Sequence, residues 1–354
     1  MKVFLLGFSK DVHDDANPFC YTLEDEIVSN HPDVMFCNDV NVFWSDDIFS
    51  FDMVHIMWPQ VLLCGSRFSL NDVEYRFLSL KERKIKVIAT CHNLKPHVLS
   101  SQAEKNIYDL VYGHSDYIVH LGSYSCNLFR TKFPNVKNVI IPHHVYDNIY
   151  KYEINRNDAL KLLGLKANRR YIVCLGDFRK SDERKLVVKL AKAIVDKNLY
   201  ILAPLFIKRS KNILTPLHYL KSNLVYLFMR VFHKRIIFNG SRVPNNLINA
   251  YYAVSDIAFV QRTEILNSGN VPLGLFMGKV VIGPNVGNVG FLLQETGNVV
   301  FNPNNISSLA NALAEAELKC SLGVGNLNRV FAIKNYSTSI CSEKYYQLYQ
   351  KMSL

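Results

Sequence analysis

Residues 266–284 read LNSGNVPLGLFMGKVVIGP and combine a polar turn, a short helix and a strand. Asn267, Ser268 and Gly269 form the turn, and helically spaced apolar residues follow as far as Gly278. The Val-Val-Ile run after Gly278 is typical of a buried strand. A helix that begins at such a turn presents backbone N–H groups and the positive end of its dipole to an anion. The segment therefore predicts a phosphate-binding turn, while an ordinary tight strand–helix turn remains the alternative.

Short β-branched runs alternate with helical patterns on both sides of this segment. In the N-terminal half, the predicted strands are Val3–Phe8, Met53–Met57, Lys86–Thr90, Tyr117–Leu121 and Val139–Ile141. A second series comprises Tyr171–Leu175, Tyr200–Ala203, Arg235–Phe238, Ile257–Val260 and Val280–Ile282. Strands that are apolar along their whole length are typical of parallel sheets with helices on both faces.

The length of 354 residues exceeds what one hydrophobic core usually serves, so we predict two domains. The expected fold is α/β, with two Rossmann-like doubly wound domains facing a cleft. The first covers residues 1–150 and the second residues 158–335, and the final helix, 336–354, crosses back to the first domain. Ligands of such folds bind at the carboxyl ends of the strands.

The order of motifs in the second half resembles the donor half of family-4-like GT-B glycosyltransferases, in the branch that builds bacterial surface polysaccharides. The resemblance rests on Asn239-Gly240 after a strand, Ser255-Asp256-Ile257, residues 266–284, and the glycines Gly287 and Gly290. It covers residues 170–320 well and the N-terminal half more loosely. It implies a UDP- or GDP-linked sugar as co-substrate, no cofactor and no metal ion, with Asn267, Ser268 and Gly269 at the donor diphosphate.

The resemblance also implies basic side chains in the loop after the first strand of the donor domain. Arg179 and Lys180 stand there, and a guanidinium suits bidentate phosphate binding. The family commonly has two glutamates eight residues apart, but these positions hold Ile265 and Leu273 here. We therefore assign no ribose ligand. Glu264, next to the first position, is the one acid assigned to the catalytic site, where it would face the transferred sugar, and a solvated loop glutamate is the alternative.

Histidines follow two predicted strands of the N-terminal half. His92 and His97 lie in the segment TCHNLKPH, and His143 follows the strand that ends at Ile141. We predict a catalytic position for His92, which could hydrogen-bond the sugar or the acceptor hydroxyl, and acceptor-side positions for Gly7, His97 and His143. A structural turn histidine is the alternative for His92 and His97. The sequence has no helical H-x-x-x-H or Cys partner for a zinc site, so we expect no metal.

Residues 201–240 contain seven Lys or Arg side chains and no acid, and they supply most of the net charge of +11. Leucines and aromatic residues from Leu217 onward recur at helical spacing. The pattern predicts a cationic amphipathic helix on an anionic membrane surface. A buried core helix with basic flanks is the alternative, and no nucleic-acid motif is present. The basic residues predicted to face the membrane are Lys208, Arg209, Lys211, Lys221 and Arg230.

These features together predict a metal-independent hexosyltransferase that acts on a glycan or lipid-linked acceptor in surface polysaccharide biosynthesis, with a retaining mechanism implied by the resemblance. A nucleotide-sugar epimerase and a non-catalytic sugar-binding or scaffold protein are the alternatives. The eight cysteines are scattered without a C-x-x-C pair, which favours a reducing compartment. We therefore expect a cytoplasmic protein that binds peripherally to the inner face of the plasma membrane.

Overall fold

The computed structural model of the chain describes residues 1–7, 17–96, 101–210, 216–305 and 307–353. The chain divides into two compact units, Met1–Asn148 with Asn335–Leu354, and Ile149–Lys334. Within the described ranges each unit contains one six-stranded sheet, and the neighbouring strands pair in parallel. Two parallel sheets with flanking helices confirm the predicted α/β class.

The sheet of the first unit is built from short strands that precede or follow helices. Its strands are β1 (Lys2–Leu6), β2 (Met35–Cys37), β3 (Met53–Ile56), β4 (Lys86–Cys91), β5 (Tyr117–His120) and β6 (Lys137–Ile140). Its helices are α1 (Phe19–Asn30), α2 (Val40–Trp44), α3 (Leu70–Glu82), α4 (Gln102–His114), α5 (Ser123–Lys132) and, at the C-terminus, α14 (Thr338–Ser353). The strand order is β2-β1-β3-β4-β5-β6, so the direction of winding reverses between β1 and β3.

The second unit repeats this plan with a different strand order. Its strands are β7 (Arg170–Val173), β8 (Leu199–Leu202), β9 (Ile236–Ile237), β10 (Ile257–Phe259), β11 (Val280–Pro284) and β12 (Val299–Phe301). Its helices are α6 (Arg156–Leu162), α7 (Ser181–Ala193), α8 (Pro216–Phe232), α9 (Ile248–Ala253), α10 (Asn270–Phe276), α11 (Gly287–Glu295) and α12 (Ser308–Ser321), and α13 (Val324–Tyr336) leads out of the unit. The order β12-β11-β10-β7-β8-β9 places the reversal between β7 and β10.

Fully buried branched residues hold the second sheet together. Ile172, Ile201, Ile257, Ile282 and Val299 come from five different strands and belong to one core cluster. Each such side chain contributes about 1.5–3 kcal/mol through removal of apolar surface from water. Because helices cover these strands, the sequence needs continuous apolar runs there rather than alternation.

A buried histidine attaches the C-terminal helix to the first sheet. His55 of β3 lies with Nδ1 2.7 Å from the Tyr349 hydroxyl of α14 and Nε2 2.8 Å from the Thr90 hydroxyl of β4. Burial lowers the pKa of His55 to about 3, so the ring is neutral at neutral pH. The chain therefore returns to its first unit through a hydrogen-bonded contact inside the core.

Candidate active site

The carboxyl ends of β7 and β10 lie side by side, at the reversal of strand order in the second unit. Ile172 and Val173 pair with Ile257 and Ala258 in parallel register. The loops after both strands therefore emerge at one edge of the sheet, next to the loop after β11. In open α/β sheets, ligands bind in the crevice at such a reversal.

Glu183 shapes the loop that follows β7. One of its carboxylate oxygens accepts hydrogen bonds from the backbone N–H groups of Arg179, at 2.6 Å, and Lys180, at 3.2 Å. Gly176 permits the turn into this loop, since its φ of +101° is unfavourable for other residues. The first turn of α7 therefore fixes the main chain that carries the two basic side chains.

A buried ion pair joins this loop to the one after β10. Arg262 Nη1 lies 2.6 Å from Glu183 Oε1, and the two side chains are only 10% and 4% exposed. The other oxygen of the carboxylate serves the Arg179–Lys180 loop, so Glu183 connects both sides of the reversal point. Sequence reasoning missed this pair, although a charged residue three positions after a fully apolar strand was a usable signal for Arg262.

Arg179 and Lys180, predicted to bind the diphosphate, both have exposed side chains at this edge. Partial desolvation, followed by the positive charge of Arg262, lowers the pKa of Arg179. Lys180 Nζ lies 2.7 Å from Glu264 Oε2, and both partners are largely exposed. An exposed pair of this kind contributes little to stability. The structure thus brings Arg179, Lys180 and Arg262 together with Glu183 and Glu264 at one edge of the sheet.

The predicted phosphate turn is held against the same edge. The Asn270 side chain, at the start of α10, donates to the Leu175 carbonyl at 2.9 Å. The Asn288 side chain of α11 donates to Asn267 Oδ1 at 2.7 Å. Gly287 is required by close packing, because a Cβ there would lie 2.6 Å from the carbonyl oxygen of Ile265. The loops after β7, β10 and β11 therefore meet at residues 267–270.

Ser268 and Gly269 are partly exposed beside Asn267 at the start of α10. The first turn of a helix leaves backbone N–H groups without intrahelical partners, which suits an anion. The two positions at which the family commonly has glutamates are apolar, and Leu273 is buried in α10. Glu264, which lies next to the first of these positions, has a side chain that is 72% exposed.

In the first unit, His92 lies at the carboxyl end of β4 in an aromatic enclosure. Its ring stacks on Trp58 at 4.7 Å and meets Phe19 edge-on at 4.5 Å, measured between ring centroids. The imidazole is buried and its orientation is fixed by these two rings. Phe19 also contacts His143 and His144, so a cluster of three histidines surrounds it.

His143 is fixed by two hydrogen bonds in this cluster. Its Nδ1 donates to the His144 carbonyl at 2.8 Å, and its Nε2 lies 3.2 Å from the Tyr146 hydroxyl. Burial lowers the pKa of His143 to about 4, which keeps the ring neutral at neutral pH. Gly7 follows β1, and a Cβ there would lie 2.3 Å from Cys20 Sγ, so glycine is needed for α1 to pack. His97, predicted on the acceptor side, lies outside the described residues.

The basic residues of the 201–240 segment have two different settings. Lys208 and Lys221 are exposed, and the likewise exposed Arg209 and Arg230 place their guanidinium groups 5.6 and 5.9 Å from the Tyr226 ring centroid, with Arg209 also hydrogen-bonded to Asn223. Lys211 lies outside the described residues. None of the helices in the described part of the chain has the length and apolar character needed to cross a bilayer. In the same part, no group of three or more His, Cys, Asp or Glu side chains is arranged to hold a metal ion.

No protein-family model and no curated protein matches this sequence. Solved structures nevertheless match its fold over nearly the whole chain. Sucrose-phosphate synthase from Thermosynechococcus elongatus is 14% identical, with a TM-score of 0.71 over 99% of this chain and 98% of that one. HepE from Anabaena, solved with UDP, is 12% identical, with a TM-score of 0.70 over 99% of this chain and 100% of that one.

A third match is a putative UDP-N-acetylglucosamine 2-epimerase from Listeria monocytogenes. It is 10% identical, with a TM-score of 0.56 over 98% of this chain and 94% of that one. At such identities the likeness concerns the arrangement of the chain and not its substrates. The chain therefore has the fold of the GT-B glycosyltransferases, with a parallel β-sheet flanked by helices in each of its two units.

Proposed function

We propose that this protein transfers a hexose from a nucleoside diphosphate sugar to a glycan acceptor, without a metal ion. The observation that supports this proposal most is the convergence of Arg179, Lys180 and Arg262 with residues 267–270 at the strand reversal of the second unit. Guanidinium groups bind phosphate bidentately, and preorganised positive groups stabilise a leaving diphosphate. The donor is UDP- or GDP-linked, and HepE, a structure of the same fold, binds UDP.

In this proposal the donor diphosphate lies against Asn267, Ser268 and Gly269, with Arg179 and Lys180 on its other oxygens. Arg262 acts indirectly, because its buried ion pair with Glu183 holds the carboxylate that positions the Arg179–Lys180 loop. Glu264 faces the transferred sugar, and donor binding draws Lys180 from it towards phosphate. The exposed Lys180–Glu264 pair offers little resistance to that exchange.

The first unit supplies the acceptor side in this proposal. His92, fixed by Trp58 and Phe19, hydrogen-bonds the transferring sugar or the acceptor hydroxyl. His143 and Gly7 border the acceptor, and His97 belongs to the same group. With retention at the anomeric carbon, a leaving phosphate oxygen accepts the acceptor's proton, so no protein base is required. The acceptor is a glycan, lipid-linked in surface polysaccharide assembly, and the transfer takes place on the cytoplasmic side.

Calorimetric titration with UDP, GDP, ADP and CMP, with and without magnesium, tests the donor site. We expect micromolar binding of one diphosphate, unaffected by magnesium. Arg179→Ala should weaken that binding at least about tenfold, since a hydrogen bond to a charged group contributes about 1.5–3 kcal/mol. Arg130→Ala, an exposed arginine on α5 of the first unit, is the matched control and should bind as the wild type does.

Equal affinities of Arg179→Ala and the wild type would contradict the placement of the diphosphate. The products then separate the candidate functions that share this fold. A transferase releases nucleoside diphosphate only when an acceptor is added, whereas an epimerase interconverts the sugar and keeps the nucleotide attached. Failure to bind any of the four nucleotides would favour the alternative of a non-catalytic sugar-binding or scaffold protein. The apolar residues at positions 265 and 273 are consistent with that alternative.

A further inference from the structure

Helix α8 exposes a continuous apolar face to solvent. Successive helical residues turn by about 100°, and eight large apolar side chains of α8 cover about 160° of its surface. Each is between 44% and 84% exposed. The centre of the face is formed by Leu217, Leu220, Leu224, Leu227, Phe228 and Val231. Val225 and Phe232 widen it on one side. An amphipathic helix on a protein surface normally turns such a face towards the core, so this face is unusual.

The opposite side of α8 already contacts the body of the second unit. Tyr226 is buried there, its hydroxyl donates to the Phe238 carbonyl at 3.3 Å, and the two rings meet edge-on at 5.2 Å. Tyr226 belongs to the core cluster of this unit, and Met229 packs against that cluster. The alternative that this segment is a buried core helix is therefore wrong for its main apolar face. Eight apolar side chains point outward because the helix uses another side to join the unit.

Basic side chains lie within this face and near it in sequence. Lys221 lies within it, and Lys208, Arg230 and Lys234 are exposed near it in sequence. Residues 201–240 contain no Asp or Glu that could neutralise them. The long side chain of Lys221 can lie along apolar surface while its ammonium group stays in the polar layer above.

We propose that α8 docks on the surface of an anionic lipid bilayer, lying flat with its apolar face among the upper acyl chains. A helix of 17 residues is about 26 Å long, which suits a position in the interface plane. Basic side chains at its borders meet the anionic headgroups. This inference stands apart from the proposed function, since vesicle binding needs neither nucleotide nor acceptor.

A second copy of the chain fits this face less well than a lipid surface. A two-fold contact through α8 would bring the same patch of both molecules together. Lys221 of each copy would then lie within or beside the apolar contact, with no acid from residues 201–240 to pair with it. Like charges across an interface oppose association, whereas anionic headgroups complement all of these cations at once.

Co-sedimentation with vesicles tests the proposal. We expect the wild-type chain to bind vesicles of phosphatidylglycerol mixed with phosphatidylcholine, and to bind pure phosphatidylcholine much more weakly. Leu224→Ser with Phe228→Ser should lower the vesicle partition coefficient at least about tenfold, because two large apolar side chains that would be buried among the acyl chains are removed. Leu327→Ser with Val330→Ser is the matched control, since both residues are exposed apolar side chains of α13.

The charge contribution is tested separately. Lys221→Glu with Arg230→Glu should weaken binding at least about fivefold, as should an increase in salt from about 0.05 to 0.5 M. Lys161→Glu with Lys189→Glu lowers the net charge equally at exposed positions outside residues 201–240 and should change binding much less.

Four outcomes would overturn the proposal. The first is failure of the wild type to bind anionic vesicles. The second and third are an equal loss of vesicle binding in the α8 and α13 variants, and an equal loss in the two charge variants. The fourth is a wild-type dimer that becomes monomeric in the α8 variant, with no vesicle binding by either protein. Diphosphate titration of the same variants should stay unchanged. A failure of vesicle binding can therefore be told apart from a failure of the donor site.

Discussion

The buried pair of Glu183 and Arg262 determines how the carboxyl edge of the second unit is assembled, and Arg262→Met is the most informative change to it. Methionine fills much of the same volume but removes the guanidinium. The Glu183 carboxylate, only 4% exposed, then loses the charge that lies 2.6 Å away. It retains the backbone N–H groups of Arg179 and Lys180 as hydrogen-bond donors.

The expected loss of stability follows from these contacts. Removing one partner of a buried ion pair costs about 3–5 kcal/mol, because the remaining charge stays desolvated. The two backbone N–H groups still stabilise the carboxylate, so we expect the lower end, about 3 kcal/mol. Glu183→Gln with Arg262→Met removes both charges and leaves an amide oxygen to accept from the loop. We therefore expect the double variant to lose only about 1–2 kcal/mol.

Native-state hydrogen exchange of peptides that contain β7 and β10 measures this change in the second unit. A loss of about 3 kcal/mol accelerates exchange through global opening more than about 100-fold. Both tryptophans, Trp44 and Trp58, lie in the first unit, so their fluorescence monitors that unit separately. Exchange that accelerates less than about fivefold in Arg262→Met, or a double variant less stable than the single one, would refute the reasoning.

Three further changes test other parts of the chain. Lowering the pH from 7 to 5.5 should reduce the free energy of unfolding by about 1 kcal/mol for each of His55 and His120. Burial lowers their pKa to about 3 and about 4, so only the unfolded chain binds protons at these residues in that range. A free energy from urea titrations that does not change with pH would contradict this. Gly7→Ala should destabilise by about 1–3 kcal/mol in thermal unfolding through its contact with Cys20, and Cys20→Ala should restore most of the loss. Gly287→Ala should weaken binding of the preferred nucleoside diphosphate in calorimetry, because its Cβ would displace the loop before α10; unchanged affinity would separate that loop from the diphosphate.

Burial on both faces leaves continuous apolar runs, and from these runs the sequence predicted β7 to β11 of the second unit but not β12. Tyr171–Leu175 was predicted and Arg170–Val173 is observed, and Ile257–Val260 corresponds to Ile257–Phe259. The three-residue strand β2 was missed, since it is too short and too exposed to show any periodicity. Strand order could not be predicted either, because it depends on contacts between residues far apart in the chain.

The same distinction applies to the site. The resemblance to GT-B glycosyltransferases implied Arg179 and Lys180, whereas it pointed to neither Glu183 nor Arg262. Their contact joins residues 79 positions apart, and no local pattern in the sequence pairs them. Helix α8 shows another limit of sequence-based prediction. The spacing of its apolar residues identifies an apolar face, but it does not show which side of the helix contacts the protein. Packing around Tyr226 decides that question.

The donor edge and α8 are connected within the second unit, and this connection links the two proposals. Phe206, in the segment between β8 and α8, meets Phe178 of the donor loop at 5.7 Å and Phe238 at 5.5 Å. Phe238 in turn receives the Tyr226 hydroxyl bond, and the Arg184 guanidinium of α7 donates to the Phe206 carbonyl at 2.9 Å. A packed chain of contacts therefore runs from the donor loop to α8. Because interiors pack densely and resist deformation, docking of α8 on a bilayer, as proposed, would hold the donor edge at a fixed distance from the headgroups.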